Sequence, residues 1–333
     1  MIATPLAALR LAGAALASLG MAGAAYALQP AASPSSLPPP AVKSAQAAPA
    51  KTETGEEPDL AYGAYQRGYY GTAAREAKKR LEANANDTAA MTLLGQLYSQ
   101  GLGVKYDLAE AARWYKMAAD RGDREALFAY GTANLKGEGV PKNRAAAIEL
   151  FKKAGALKQR SALYTLGIMA IESDGVASDF AKAADYFRSA AELGMPDAAY
   201  SLGLLYRSGS GVPKDDKLAA QWIGRAAQDD YVPAEVEYAI MLFNGVGVEK
   251  DEQAAARLFL KAAVENNPIA QNRVARLYVA GRGLHQDLVE AMKWHLLARA
   301  SGLNDSWLDG QLTKLSQTQR NAVEAAVHQY LAR

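Results

Sequence analysis

A fixed period of 36 residues runs through the middle of the chain and constrains its fold more than any other feature. A glycine or alanine marks each period, at Gly95, Gly131, Gly167, Gly203, Ala239 and Ala275. A period of roughly 20–50 residues is typical of proteins built from stacked repeats. Because each repeat in such a protein packs mainly on its neighbours, we expect a long surface for partners rather than an enclosed enzyme pocket.

Each period predicts two helices joined by a glycine turn, in six blocks that together span residues 90–305. Apolar residues recur on one face of the first helix, and a Gly-x-Gly turn follows in every block except the third, which keeps only Gly175. An Asp or Asn is then placed to cap the second helix, at Asp107, Asn143, Asp179, Asp215, Asp251 and Asp287. Two of these caps also have the spacing of a capping box, Asp107 with Glu110 and Asp287 with Glu290.

The second helix of each block carries an alanine followed three residues later by a bulky side chain. The alanines let neighbouring helices approach, and the bulky side chains are predicted to fill the gap between layers. The predicted gap fillers are Trp114, Leu150, Tyr186, Trp222, Leu258 and Trp294.

The block pattern Ala-x-x-x-Leu-Gly-x-x-Tyr-x-x-Gly-x-Gly-Val, followed by Asp and by Ala-x-x-Trp-Tyr, resembles the Sel-like repeat over about residues 90–305. The family tyrosine is kept at Tyr98, Tyr206 and Tyr278 and replaced at Asn134 and Ala170. The resemblance implies an all-α fold, a right-handed α/α superhelical solenoid of six helix-turn-helix repeats related to tetratricopeptide repeats. Proteins of this kind bind other proteins.

The segments that flank the repeats are predicted to cover the ends of the array, as solenoids require. Residues 59–89 resemble a tetratricopeptide-type helix pair and form the expected N-terminal cap. Residues 306–333 are expected to form C-terminal capping helices, the last of which opens with a capping box between Ser316 and Gln319.

The first 58 residues predict export and a tether. Residues 1–27 combine an apolar run with the small-x-small sequence Ala25-Tyr26-Ala27, which is typical of a signal peptide cleaved near Ala27. A retained anchor in the inner membrane is the alternative. Residues 28–58 are rich in Ala, Pro and Ser, so they are expected to remain a disordered linker. The predicted location is therefore periplasmic or secreted.

The composition argues against catalysis and against bound cofactors. The chain has no cysteine, which excludes disulfides, thiolate metal sites and a cysteine nucleophile. Its three histidines, His285, His295 and His328, are far apart in repeat order, so they are expected to be ordinary surface or packing residues. A net charge of +2 does not predict nucleic-acid binding. We therefore expect no enzyme activity, no metal and no cofactor.

One face of the first helices departs from the polar pattern of a solvated helix. In the second to fifth blocks it carries apolar residues, here called the first-helix stripe: Phe128, Leu135, Tyr164, Ile168, Ile171, Tyr200, Leu204, Val236, Ile240 and Phe243. The stripe predicts either packing between helices or a concave groove for a partner helix or extended peptide. Charged residues at its edges, Arg207, Glu237 and Arg273, are candidates to set the register of that partner.

The expected function is that of an exported scaffold or regulator in the bacterial cell envelope, with a membrane sensor or an envelope-assembly protein as candidate partner. An adaptor that binds glycan or peptidoglycan fragments, using Tyr164 and Tyr200 as stacking platforms, is the alternative. A hydrolase is the least favoured class. If the stripe is a free surface, replacing Phe128, Tyr164 or Tyr200 by Glu should abolish partner capture and leave thermal unfolding nearly unchanged.

Overall fold

The computed structural model describes residues 59–172 and 178–332, and these residues form helices and turns without strands. The predicted signal peptide (1–27), the predicted linker (28–58) and the turn glycine Gly175 lie outside the described residues. The chain divides into two compact units, Met1–Met169 and Ala170–Arg333.

The described helices follow the predicted pairs. The first seven are α1 (Leu60–Gln66), α2 (Tyr70–Ala83), α3 (Thr88–Gln100), α4 (Leu108–Ala119), α5 (Arg124–Lys136), α6 (Arg144–Ala156) and α7 (Arg160–Ile171). The next are α8 (Phe180–Glu192), α9 (Pro196–Ser208), α10 (Asp216–Gln228), α11 (Val232–Asn244), α12 (Glu252–Val264), α13 (Pro268–Ala280), α14 (Leu288–Ala300), α15 (Ser306–Thr313) and α16 (Gln317–Leu331). From α1 to α6 in the first unit, and from α8 to α14 in the second, each helix packs on the next, and α16 packs on α14. The α/α solenoid fold is confirmed.

The predicted caps of the second helices are present in the structure. Asp107 and Asp287 each accept a hydrogen bond from the backbone N–H three residues later, at 3.0 and 2.9 Å. Their own N–H groups already donate to the carbonyls of Tyr98 and Tyr278 on the preceding first helix. Glu290 instead binds the Lys293 ammonium at 2.6 Å. The two pairs with capping-box spacing therefore do not form capping boxes. The N–H of the capping Asp, which the glutamate would accept from, is already used.

The capping box at the start of α16 does form. The Ser316 N–H donates to Gln319 Oε1 at 3.0 Å, and the Gln319 N–H donates to Ser316 Oγ at 3.3 Å. α16 is not the second helix of a repeat, so the Ser316 N–H does not donate to the carbonyl of a preceding first helix. The Gln319 side chain is its partner instead.

The two glycines of each turn have different tasks. Gly245 ends α11 in the left-handed conformation, at φ +71°. Gly247 also has a positive φ, and in addition a Cβ there would lie 1.9 Å from the carbonyl oxygen of Asp216 in the preceding second helix. Gly139 has the same relationship to the Leu108 carbonyl, at 2.0 Å. The second glycine is thus required where one repeat touches the repeat before it.

In the second to sixth repeats the core is filled one position later than predicted, whereas in the first repeat Trp114 and Tyr115 are both half-buried. Phe151, Phe187, Ile223, Phe259 and His295 are at most 2% exposed, and each directly follows a predicted gap filler. The earlier residues Leu150, Tyr186, Trp222 and Leu258 are only half-buried, although Trp294 is buried as well. A Cβ on Gly131 would lie 2.7 Å from the Phe151 ring, which shows why the first helix carries a small residue at this point.

The flanking helices close the ends of the two units. Ala61, Ala64 and Ala77 of the N-terminal pair join a core with Leu94 and Leu97 of α3. At the other end, Leu308, Leu315 and Val323 of the C-terminal segment join the core around Trp294. Among residues 59–172 and 178–332, no helix is long and apolar enough to cross a bilayer.

Candidate functional site

The first-helix stripe is partly core in both units. In the first unit Tyr164 is 6% exposed and Phe128, Leu135 and Ile168 are half-buried. In the second unit Ile171, Tyr200 and Val236 are buried, whereas Leu204, Ile240 and Phe243 are half-buried. None of the ten is freely exposed, so only the half-buried members offer surface to a partner, and partner binding by the stripe stays a prediction.

Contacts explain why the stripe is covered. The Phe128 ring lies 5.6 Å from the Phe151 ring of the second helix in the same repeat. The Tyr200 ring makes an edge contact with Tyr231 at 5.5 Å. A glutamate at Tyr200 would place a charge in this packed environment, so it would change stability as well as binding. Because Tyr164 and Tyr200 are buried, we now expect their glutamate variants to lower thermal stability.

A cleft in the second unit includes the half-buried stripe residues Ile240 and Phe243. It encloses about 480 Å³, within the size range of protein ligand sites. Its lining residues, here called the arginine cleft, are Ile240, Phe243, Asn244, Phe259, Arg273, Arg276, Leu277, Ala280, Arg282 and Trp307. The stripe residues Ile240 and Phe243 come from α11. Arg273, Arg276, Leu277 and Ala280 lie on one face of α13, because residues three, four and seven apart share a helix face.

The floor of the arginine cleft is apolar and buried. Phe259 is 2% exposed and Leu277 is 6% exposed, so both belong to the core beneath the cleft. Trp307 stands at the edge with 45% of its surface exposed. Aromatic and aliphatic surface of this kind gives a partner a large apolar contact area.

Arg276 is fixed in the wall of the cleft by a buried acid. Its Nε and Nη2 donate to the two carboxylate oxygens of Asp305 at 2.7 and 2.9 Å. Its guanidinium carbon lies 5.1 Å from the centre of the Trp307 ring. Burial alone raises the pKa of Asp305, but hydrogen bonds from Arg276 and Asn272 outweigh it and lower that pKa to about 2.

Arg282 is also held by a carboxylate and an aromatic ring. It binds Glu252 through Nε at 3.1 Å and through Nη2, and its guanidinium carbon lies 4.2 Å from the centre of the Phe243 ring. Hydrogen bonds from Arg282 and Lys250 lower the pKa of Glu252 to about 2. The positive charges of Arg276 and Arg282 are therefore each paired with a carboxylate that lies outside the cleft lining.

Arg273 differs from the other two arginines. It is exposed, and it makes no hydrogen bond or ion pair with residues 59–172 or 178–332. Its predicted companions at the stripe edge, Arg207 and Glu237, form an ion pair with each other and are therefore already satisfied. Of the three edge residues, Arg273 alone combines a place in the cleft with an unpaired charge among the described residues.

Sequence reasoning missed most of the arginine cleft. The sequence pattern indicated Ile240, Phe243 and Arg273 but not Arg276, and Trp307 lies beyond the repeats. A signal was available for Arg282, since it stands between the turn glycines Gly281 and Gly283, where other repeats carry neutral or acidic residues. The pairing with Glu252 joins residues 30 positions apart, so it depends on how two repeats stack.

The histidines do not form a common site. His285 and His328 are exposed, whereas His295 is buried in the core position that Phe259 occupies in the preceding repeat. His295 Nε2 lies 2.8 Å from Asp309 Oδ1. Within the described part of the chain, no group of three or more His, Asp or Glu side chains has an arrangement that could hold a metal ion.

The repeat geometry agrees with a family model, the Sel1 repeat, which matches six segments: 88–123, 124–158, 160–195, 196–231, 232–266 and 268–303. The chain belongs to the Sel1 repeat family. The matched segments begin two residues before the first predicted block and end within the last one. Sel1 repeat proteins generally mediate protein–protein interactions and are typically not enzymes.

Solved structures with the same repeat are similar to this chain. A Sel1 repeat protein from Oxalobacter formigenes has 27% identity and a TM-score of 0.60, over 73% of this chain and 97% of that one. The protective antigen c5321 of uropathogenic Escherichia coli has 25% identity and a TM-score of 0.49, over 82% of this chain and 67% of that one. A comparison with curated proteins gives no significant match.

Proposed function

We propose that this Sel1 repeat protein is an exported scaffold or regulator of the bacterial cell envelope, which holds a partner helix or extended peptide against its first helices. The observation that carries the proposal is the arginine cleft between α11 and α13. The cleft contains half-buried members of the stripe together with three arginines. Proteins of this family generally bind other proteins. An apolar surface bordered by polar groups is typical of an interaction site.

Export is a separate part of the proposal and is supported by residues 1–27. Their apolar run and the Ala25-Tyr26-Ala27 sequence fit a signal peptide. Cell fractionation and N-terminal sequencing of the mature protein test this part. A mature protein that begins near residue 28 in the periplasm supports it, and an intact N-terminus in the cytoplasm contradicts it.

Partner binding is tested by site-specific photo-cross-linking in the envelope. A photoreactive amino acid at Asn244, which lines the cleft and is exposed, should capture one protein partner. The same group at Gln221, an exposed residue of the second helix α10, is the matched control. Capture only from position 244, lost when Trp307 is replaced by Ala, supports the proposal. Equal capture from both positions, or none from either, contradicts it.

The glycan-binding alternative has lost its proposed contact residues. Tyr164 and Tyr200 are 6% and 8% exposed, and a sugar ring stacks only on an aromatic face that solvent can reach. We therefore retain a protein partner as the proposed ligand.

A further inference from the structure

We propose that the arginine cleft recognises an acidic residue next to a large apolar side chain in an extended segment of a partner protein. Arg273 binds the carboxylate, and the apolar side chain lies between Phe243 and Trp307. This inference rests on the proposed function and specifies the chemistry of its ligand.

The charge of the cleft favours an acidic ligand. Three of its ten lining residues are arginines, and no Asp or Glu is among the lining residues. An arginine without a partner has five N–H donors in a planar fork, which matches the two oxygens of a carboxylate. A cationic segment would face three guanidinium groups with no carboxylate in the lining to receive it.

The ion pairs around the cleft favour one negative charge. Asp305 pairs with Arg276, and Glu252 pairs with both Arg282 and Lys250, so Arg273 is the one arginine of the lining without a carboxylate partner among the described residues. A singly charged carboxylate matches one such arginine. A doubly charged phosphate would need a second free cation, because its extra charge is costly when it is unpaired and partly desolvated.

The same ion pairs prepare the apolar part of the cleft. Arg276 and Arg282 are held beside the Trp307 and Phe243 rings by their carboxylates. These rings line the same cleft as Phe259, Leu277 and Arg273, so apolar surface and a free guanidinium lie in one site. A site that is ordered before binding loses less conformational entropy when the ligand arrives. Two-point recognition, by charge and by apolar area, therefore follows from one cleft.

The test uses the full-length protein and a display library of random twelve-residue peptides. Wild-type protein should enrich peptides with Asp or Glu next to Phe, Trp or Leu. The strongest peptide is then synthesised with a fluorescent label, together with versions in which the acid becomes its amide or the apolar residue becomes Ala. In fluorescence anisotropy, R273Q and the amide peptide should each weaken binding about tenfold, the usual effect of losing one charge-assisted contact.

Control variants separate the cleft from a general charge effect. Arg257→Gln removes an exposed arginine that lies outside the cleft lining and should bind like wild type. Peptide binding should also change the fluorescence of the wild-type protein, and this change should disappear in W307F, which keeps an aromatic wall. Arg273 is exposed and unpaired, so thermal unfolding of R273Q should match that of wild type.

The outcomes distinguish this inference from the proposed function. Enriched peptides that bind R273Q as well as wild type, or that show no acidic preference, overturn the cleft inference and leave peptide scaffolding intact. No enrichment over the bare support contradicts both. Displacement of the labelled peptide by millimolar inorganic phosphate, at an ionic strength matched with NaCl, would show that the cleft prefers a doubly charged anion and would also overturn it.

Discussion

The guanidinium of Arg276 meets both carboxylate oxygens of Asp305, at 2.7 and 2.9 Å, across a sequence separation of 29 residues. The same carboxylate accepts the backbone N–H groups of Trp307 and Leu308 at the start of α15. One buried side chain therefore caps the first C-terminal helix and fixes an arginine in the wall of the cleft. The C-terminal segment thus completes the candidate site as well as covering the core.

Replacing Asp305 by Ala should lower the free energy of unfolding by about 2 kcal/mol, because a helix cap and a charged hydrogen-bonded pair are lost together. Asp251→Ala is the matched control, since Asp251 caps α12 through Ala254 N–H without an arginine partner. Urea unfolding followed by circular dichroism measures both. Equal losses in the two variants would contradict a stabilising role for the Arg276 pair.

Stability should depend on the ionisation of Asp305 in acid. Its folded pKa of about 2 lies below the ordinary value of 3.8, so its contribution is complete above pH 3.8 and is lost as the pH falls towards 2. Urea unfolding at closely spaced pH values should show this loss in wild type. Asp305→Asn should reduce the slope in that window, and an unchanged slope would mean that other carboxylates dominate acid unfolding.

The second turn glycine should be far less replaceable than a glycine of similar backbone conformation in open space. Gly247→Ala meets both a positive φ and the Asp216 carbonyl, whereas Gly302→Ala meets a positive φ of 86° with no atom within 4 Å. We expect a loss of about 1 kcal/mol for Gly302→Ala and a clearly larger loss for Gly247→Ala. Chemical denaturation of both variants measures the difference. Similar losses would show that the repeats separate easily at this contact.

Tyr200 should behave as a core residue. Tyr200→Ala should lower the free energy of unfolding by about 3 kcal/mol, because the side chain is 8% exposed and contacts Tyr231. Tyr69→Ala removes the same side chain from a position that is 63% exposed and should change stability by less than about 0.5 kcal/mol. Thermal unfolding of both proteins tests this. A Tyr200→Ala variant as stable as wild type would contradict the assignment of Tyr200 to the core.

His295 stands where the preceding repeats carry Phe259, Ile223 and Phe187, and its Nδ1 is buried without a hydrogen-bond partner. His295→Phe should therefore preserve or raise the free energy of unfolding, by up to about 1 kcal/mol. The hydrogen bond with His295 lowers the pKa of Asp309, so that pKa should rise in the variant, as NMR titration can measure. Marked destabilisation by Phe would show that the His295–Asp309 contact is required for packing.

The residue that fills the core lies one position after the predicted one, for a geometric reason. Positions three and four after an alanine lie on the same face of a helix, so periodicity alone does not choose between Leu150 and Phe151. The choice is made by the space opposite Gly131 on the first helix, into which the Phe151 ring fits. Exposure of the stripe was undecided for a similar reason, because Tyr200 and Leu204 share a helix face but differ in the neighbours that cover them.

By itself, the sequence determined the repeat length, the helix pairs, the glycines that end most first helices and the residues that cap the second helices. These features depend on local backbone hydrogen bonding and on the left-handed conformation of glycine, which act within a few residues. Only the tertiary structure decided which apolar side chains remain accessible and which charges remain unpaired. Asp305 reaches Arg276, and Glu252 reaches Arg282, only because neighbouring helices bring distant residues together. The same packing leaves Arg273 without a partner. The repeat pattern alone did not predict this difference between the three arginines.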